Sequence, residues 1–335
     1  MKIDIFNHIF PKTWFDRYIA GGTGGKDIVK RMANATVGFD LDLRFRTLDE
    51  FGDVTQVITL GQPPIEALAG PSESEAVARE ANDGLAELVA KYPDRFIAFG
   101  ASLPLNNVDA SIRETIRGVD QLGAKAVMLY TNVGGKPLDA PEFAPLFAEI
   151  ARRDLTVLLH PARGASLTDY QAETASSYEI WWALGWPYET GAAMARLVFS
   201  GIMDRHPNLK VVTHHLGGIV PYLEGRLGHG WDQLGKRTSS VDYSAILKTL
   251  KKRPVDYFRD FHADTATFGA RGAMRCGMEF FGVDKVVFAS DMPFDPTPGL
   301  YMRETIAVLE SLDLSAADKT KIYSTNAAAL LGLRI

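Results

Sequence analysis

Several apolar runs in this chain end on side chains that bind metals or move protons. LTVLLH stops at His160, KVVTHH stops at the adjacent His214 and His215, and KVVFASD stops at Asp291. The N-terminal run KIDIFNH closes on His8. Imidazole nitrogens with a carboxylate suit a divalent transition metal that keeps a position open for water or substrate. A lone histidine at a strand end is usually a core residue with its polar atoms satisfied. A packed core, however, has no need to finish several strands on His, His and Asp. A barrel that gathers its reactive groups at one rim does need that.

Within this set, Asp291 in ASDMPF is a candidate to ligate metal or pass a proton. His214 and His215 are neighbours, so on an extended chain their side chains point to opposite faces. Gly217 and Gly218 allow close approach of a ligand to the backbone, which favours His215 as the inward one. His214 is then expected to pack or hydrogen-bond behind the sheet. Asp264, two residues after His262 on an apolar run, is a candidate to support the metal from behind. Arg46 and Arg226 offer guanidinium forks shaped for a substrate carboxylate. Trp181, Trp182 and Trp186 could wall a flat substrate with Phe294, or could form a lid's own small core or an oligomer contact. Cys276, inside an amphipathic window, reads as a small buried hydrophobe.

The elements that must position these groups alternate along the chain. Strands are expected near Lys2–Phe6, Thr55–Leu60, Phe96–Leu103, Ala124–Leu129, Thr156–His160, Lys210–His215, Phe261–Asp264 and Lys285–Asp291. Most are continuous apolar runs, as expected for strands covered on both faces. Helical windows lie between them, at Ser74–Lys91, Val108–Leu122, Phe143–Arg152, Gly191–Arg205, Ala270–Phe280 and Arg303–Leu312. Eight strands with crossovers predict an α/β fold, a (β/α)₈ TIM barrel with loop insertions. An open doubly wound sheet is disfavoured, because no G-x-G-x-x-G follows the first strand. GGTGG at 21–25 and the Pro63–Pro71 segment read as loops, and the stretch near 163–187 as an insertion over the mouth of strand five, so 1–335 is expected to be a single domain.

Composition sets outer bounds. With 335 residues, 46% hydrophobic and 23% charged, the chain is long and apolar enough for a large core. A net charge of −5 without a basic stripe argues against nucleic acid as a partner. One cysteine rules out a disulfide framework and fits a reducing compartment. No apolar run approaches membrane-spanning length and the N-terminus shows no signal-peptide core, so a cytoplasmic enzyme is expected.

Longer blocks carry a resemblance. ANDGLAELVAKYPDRFIAFGASLPL (81–105), WPYET (186–190), GIMDRHPNLKVVTHHLGGIVPYLEGR (201–226), ASDMPF (289–294) and STNAAALLGL (324–333) together resemble the decarboxylase-like branch of the amidohydrolase superfamily, the aminocarboxymuconate semialdehyde decarboxylase-like family. The resemblance implies a metal-dependent barrel that removes CO₂ from a small aromatic or unsaturated carboxylic acid, with a hydrolase or hydratase (a lactonase, for example) or a catalytically degenerate binding barrel as alternatives. It implies His8, His160 and Asp291 as ligands of a divalent metal, zinc first and manganese second. His215 and Asp291 become the catalytic groups, and Arg46, Arg226, Trp181, Trp182 and Phe294 meet the substrate. It also implies a homo-oligomer, dimer or tetramer, in which Arg226 can serve a neighbouring subunit. One position departs from the family's pattern. Strand one usually opens with His-x-His or Glu-x-His, and here it reads Phe6-Asn7-His8. Strand alternation would place Asp4, Phe6 and His8 on one face, with Phe6 in the missing ligand's place.

Overall fold

The computed structural model describes residues 1–20, 26–237 and 240–335; the GGTGG loop expected at 21–25 lies outside the described residues. Eight parallel strands form one sheet in chain order: β1 Lys2–His8, β2 Val54–Thr59, β3 Phe96–Ser102, β4 Ala126–Tyr130, β5 Thr156–His160, β6 Lys210–Thr213, β7 His262–Asp264 and β8 Val286–Val287. The sheet closes on itself through backbone bonds between the ends of β8 and β1. The Ile5 amide donates to Phe288 at 3.0 Å, the Asp291 amide to Phe6 at 3.1 Å and the His8 amide to Met292 at 2.7 Å. Helices such as Ser74–Lys91, Val108–Asp120, Ala144–Arg152, Gly185–Phe199, Arg271–Phe281 and Leu300–Ser311 make the crossovers. This is the expected (β/α)₈ barrel. Among the described residues, no helix is long and apolar enough to cross a membrane.

The strands are buried on both faces, and the alternation of side chains sorts two apolar layers. Ala126, Met128 and Tyr130 of β4, Leu158 of β5, Val212 of β6 and Val287 of β8 share an inner cluster. Val127, Leu129, Val157, Leu159, Val211 and Ala263 belong to the outer cluster, with helix residues such as Phe147, Met194, Leu197 and Phe258. Extending the inner series one step past each strand's apolar stretch reaches His160, His214, Asp264 and Asp291. The rim chemistry therefore follows from the period-2 geometry of parallel strands.

Strand β1 does not keep the expected register. Its pairing with β2 shifts between Asp4 and Asn7, so one face does not carry Asp4, Phe6 and His8 together. The bulge turns Phe6 and His8 into the barrel and leaves Asp4 and Asn7 toward the helix layer. There the fully buried Arg44, from helix Leu41–Asp49, binds Gln56 Oε1 at 2.8 Å, the His8 carbonyl at 2.8 Å and Asn7 Oδ1 at 2.5 Å. Gln56 in turn donates to Asp4 at 2.8 Å. Arg46, two positions on, is exposed on the far side of the same helix, so the substrate role expected for it is not met in this chain's geometry.

Removing the buried guanidinium leaves three acceptors unpaired at once. Arg44→Ala is expected to cost about 3–5 kcal/mol in urea unfolding, against a change within about 0.5 kcal/mol for Arg46→Ala. Equal effects of the two substitutions would contradict this account of β1.

Candidate active site

At the C-terminal rim of the barrel four imidazoles surround one carboxylate. Asp291 Oδ1 lies 3.5 Å from His8 Nε2 and 3.2 Å from His214 Nε2, and its Oδ2 lies 3.5 Å from His215 Nε2. The His160 ring centroid is 5.1 Å from that of His8 and 5.2 Å from that of His214. His8, His160, His214 and Asp291 are buried, and the His215 side chain keeps 12% exposure at the mouth.

His8, His160 and His214 are each oriented by what their Nδ1 meets, whereas His215 Nδ1 is buried without a hydrogen-bond partner. His8 Nδ1 faces the Thr59 hydroxyl at 3.0 Å and the Leu60 carbonyl at 3.3 Å, which leaves Nε2 buried with no hydrogen-bond partner. His160 Nδ1 meets the Pro161 carbonyl at 2.7 Å, with Gln62 Nε2 at 3.5 Å. His214 Nδ1 is bonded to Asp264, whose other oxygen accepts from the Ala266 amide at 3.0 Å. One ligand atom from each of His8, His160 and His214 lies within 4.8 Å of the others, and the same holds for His214, His215 and Asp291. An orphaned imidazole nitrogen beside a carboxylate, with Nδ1 of His8, His160 and His214 held from behind, is a donor set that fits a divalent ion.

The position of His214 corrects the expectation that it lies behind the sheet. Strand β6 ends at Thr213, His214 continues it in extended conformation, and His215 then turns into the left-handed region at φ 54°. His214 therefore points inward with Val212, and the turn brings His215 back over the same mouth, with ring centroids 3.7 Å apart. Asp291 is also left-handed, at φ 60°. Non-glycine residues in that region persist where their surroundings force them, and such strain gathers at reactive sites.

Electrostatics divide the ring into a cation, a carboxylate held charged and neutral bases. Burial works against a charged His214, yet Asp264 and Asp291 outweigh it and push its pKa up to about 10. Burial also opposes the Asp291 charge, but His214, His215 and His8 hold its carboxyl well below the usual range. His8, His160 and His215 are lowered, chiefly by burial, with neighbouring imidazoles adding to the shift of His160 and His215. These three are neutral near pH 7, the form that binds metal or accepts a proton.

Above the ring, Phe294 approaches His8 at 5.5 Å and Trp186 meets His160 edge-on at 5.6 Å. Trp182 lies farther out and Trp181 packs against Trp186 at 5.6 Å, so the wall expected of Trp181 and Trp182 is led by Trp186. Arg31, which no sequence signal marks, brings its guanidinium 4.3 Å over Trp182, 5.6 Å from Phe294 and 5.9 Å from Trp186. Its Nε is buried without a partner. Arg31, Trp181, Trp182, Phe294 and Asp295 line a cavity of about 340 Å³. A second, of about 740 Å³, opens on the β2, β4 and β5 side past Gln62, Asn132 and Arg163. Arg226, on helix Glu224–Trp231, is exposed and takes no part in the rim of its own chain.

Fold and rim define a barrel enzyme with a histidine–carboxylate centre of the metal-binding kind. A family profile described as amidohydrolase matches residues 4–333, and the chain belongs to that family. It is 29% identical over 348 residues to a 2-amino-3-carboxymuconate-6-semialdehyde decarboxylase of Dictyostelium discoideum, covering 99% of this chain and 92% of that one. It is 33% identical over 309 residues to a gamma-resorcylate decarboxylase of Rhizobium radiobacter, covering 87% of each. Among solved structures, a dihydroxybenzoic acid decarboxylase from a Polaromonas species, with bound manganese and the inhibitor 2-nitroresorcinol, superposes with TM-score 0.78 at 27% identity, over 99% of this chain and 96% of that one.

In protein stripped of metal with a chelator, His214 is expected to keep its proton far above the ordinary imidazole range. Its folded pKa is raised, so its contribution to stability is complete below about pH 6.5 and is lost as pH rises through about 10. Nitrogen-15 NMR of the histidine rings follows this titration directly, and Asp264→Asn should bring the midpoint down. A midpoint at or below 6.5 in the unaltered protein would refute the assignment.

Proposed function

We propose that this chain is a non-oxidative decarboxylase of a small aromatic carboxylic acid carrying a hydroxyl group. One observation carries the reading: buried His8, His160, His214 and Asp291 gather at the rim, and Phe294, packed on His8, joins them to an Arg31 framed by aromatic rings. Two of the relatives named above, the gamma-resorcylate and dihydroxybenzoic acid decarboxylases, agree with it.

The residues divide the work. Phe294, Trp182 and Trp186 offer flat apolar faces to a ring, while the Arg31 guanidinium is aimed where a carboxylate would enter. When bound, a divalent ion at the cluster supplies a Lewis acid for the substrate's hydroxyl or carboxylate oxygen. His215, partly open to the mouth and near Asp291, is placed to take up a proton from solvent and pass it to the ring carbon. The carbon–carbon bond to the carboxylate breaks, its electron pair stays on that carbon and pairs with the proton, and CO₂ leaves. Trp186 and Phe294 keep water from the buried part of the rim, and a drier site favours a step in which the carboxylate charge is lost.

The reading extends to assembly and location. Tyr178 and Leu184 on the 163–187 insertion, Tyr188 on the helix Gly185–Phe199 and Tyr222 in the loop that follows β6 are more than half exposed. The Ile219 amide reaches the Pro187 carbonyl at 3.4 Å, which joins the two segments. A second copy covering this surface would give a homo-oligomer and bring Arg226 near an interface. The single cysteine, with no second thiol to pair, suits the cytoplasm.

Purified protein loaded with Mn²⁺ or Zn²⁺ should release CO₂ from 2,6-dihydroxybenzoate or a related hydroxybenzoate. Water addition or ester hydrolysis without CO₂ release across such a panel would sink the assignment. His215→Ala should lower kcat by roughly 10³-fold or more with the barrel still folded by circular dichroism. For Arg31→Ala the expected change is chiefly in KM, on the order of 10–100-fold, because its guanidinium binds the carboxylate without touching the proton. A KM left unchanged would remove Arg31 from the site.

A further inference from the structure

We propose that the chamber of about 740 Å³ beside the rim binds a protonated primary amine on an apolar body, with the Glu66 carboxylate as its counter-ion. The amine belongs to an arm of the substrate or to a separate molecule, and the chemistry that holds it is the same.

The loop after β2 builds the acidic part of this wall. Pro63 and Pro64 end the strand's hydrogen-bonded run, and Glu66 follows in the short helix Ile65–Leu68. Glu66 lines the chamber, yet both of its oxygens are buried and neither meets a hydrogen-bond donor from another residue. A buried carboxylate without partners is costly, and burial pushes Glu66 up to about 7. A cation seated against it supplies the missing donors and favours its charged form. Pro63, Pro64, Leu138 and Leu167 line the same space and offer apolar surface to the body that carries the ammonium.

The other charges in the wall decide the sign of the ligand. Arg163 Nη1 lies 3.3 Å from Glu189 Oε1, and Arg196 Nε binds Asp139 Oδ1 at 2.6 Å. Both guanidiniums that line the chamber are therefore committed to acids. Arg163 Nε has no partner, but it packs against Gly185 at the start of helix Gly185–Phe199. The exposed Asp27 adds a third carboxylate to the wall. An incoming anion finds its arginines taken, whereas an amine finds Glu66 unmatched. The chamber also adjoins the rim. Gln62, in its wall, donates to the Pro161 carbonyl at 2.8 Å, the oxygen that His160 Nδ1 meets at 2.7 Å. Trp181 lines both this chamber and the cavity that holds Arg31.

The test reads binding without turnover, so its outcome is independent of the decarboxylase reading. Wild-type protein and Glu66→Gln are titrated by calorimetry with benzylamine and with benzyl alcohol, which has the same body without the charge. Benzylamine should bind the wild type with a Kd of about 1 mM or tighter, and Glu66→Gln roughly 10–100-fold more weakly. Benzyl alcohol should differ by less than about threefold between the two. Benzylamine stays protonated from pH 6 to 8 while Glu66 gains its charge, so wild-type affinity should rise roughly tenfold over that range. Asp27, Arg163, Glu189 and Arg196 share the wall and Tyr130 lies near Glu66, so Glu66→Gln must abolish the rise if Glu66 causes it. Should that variant fail to fold, the wild-type profile decides, with benzyl alcohol as its uncharged control. Unchanged benzylamine affinity in Glu66→Gln, a flat wild-type profile, or no wild-type binding at about 10 mM overturns the proposal. 4-(Aminomethyl)benzoate separates the two sources. A gain of about tenfold or more over benzylamine, lost in Arg31→Ala, supports an arm of the substrate that spans chamber and rim. Equal or lower affinity supports a separate molecule.

Discussion

Asp291 is a buried carboxylate that has to stay charged, and the upper half of the barrel is organised around that demand. Leaving such a group unpaired costs several kcal/mol, so it must find partners on all sides. His8 and His214 approach one oxygen and His215 the other. The backbone bonds that close the barrel lie at the same place: the Asp291 amide donates to Phe6, and the His8 amide to Met292. Closure of the sheet and assembly of the rim are thus one event. The left-handed conformations of Asp291 and His215 are held from both sides by it, at φ 60° and 54°.

The helix layer carries the second half of this constraint. A bulge in β1 turns Asp4 away from the face that carries Phe6 and His8, and the Asn7 side chain and the His8 carbonyl left on the outer side need partners. Arg44 supplies them, tying Asn7, the His8 carbonyl and Gln56 together from a helix whose Asp40 caps it by accepting from the Leu43 amide. Asp4, in the same network, accepts from Ser290 and Gln56, yet burial still pushes it up to about 6. The outer polar network thereby braces strands one and eight, the two strands that meet at Asp291.

Much of this was legible in the chain, and the failures have identifiable causes. Apolar runs ending on His160, Asp264 and Asp291 predicted the barrel, and period-2 alternation placed their ends at one rim. The same rule misled at β6, because the regular strand ends at Thr213 and not at His215. Counting from Val212 would have turned His214 inward. The bulge in β1 had no signal, since one inserted residue leaves composition unchanged while reversing faces. Arg44 could have been preferred to Arg46. It lies on the stripe with Thr47 and Leu48, three and four positions on, the spacing of a helix's buried face. Arg31 was beyond reach: nothing in KDIVKRMAN distinguishes a cation framed by rings from a solvated one.

That framing matters to how the mouth can select a ligand. An arginine paired with a carboxylate of its own chain has little left to offer an incoming anion, whereas Arg31 lies against the faces of Trp182, Trp186 and Phe294. Ring faces hold a guanidinium by their quadrupole and leave its N–H edge unspent. Asp295 lines the same cavity, and burial pushes its carboxyl up to about 6. Below, the imidazoles of His8, His160 and His215 are kept neutral by burial, so they do not repel a metal ion or trap an anion out of place. The mouth thus sets a fixed positive charge and polarisable ring faces beside neutral imidazoles, so an incoming anion is drawn to the guanidinium and not to the rim histidines.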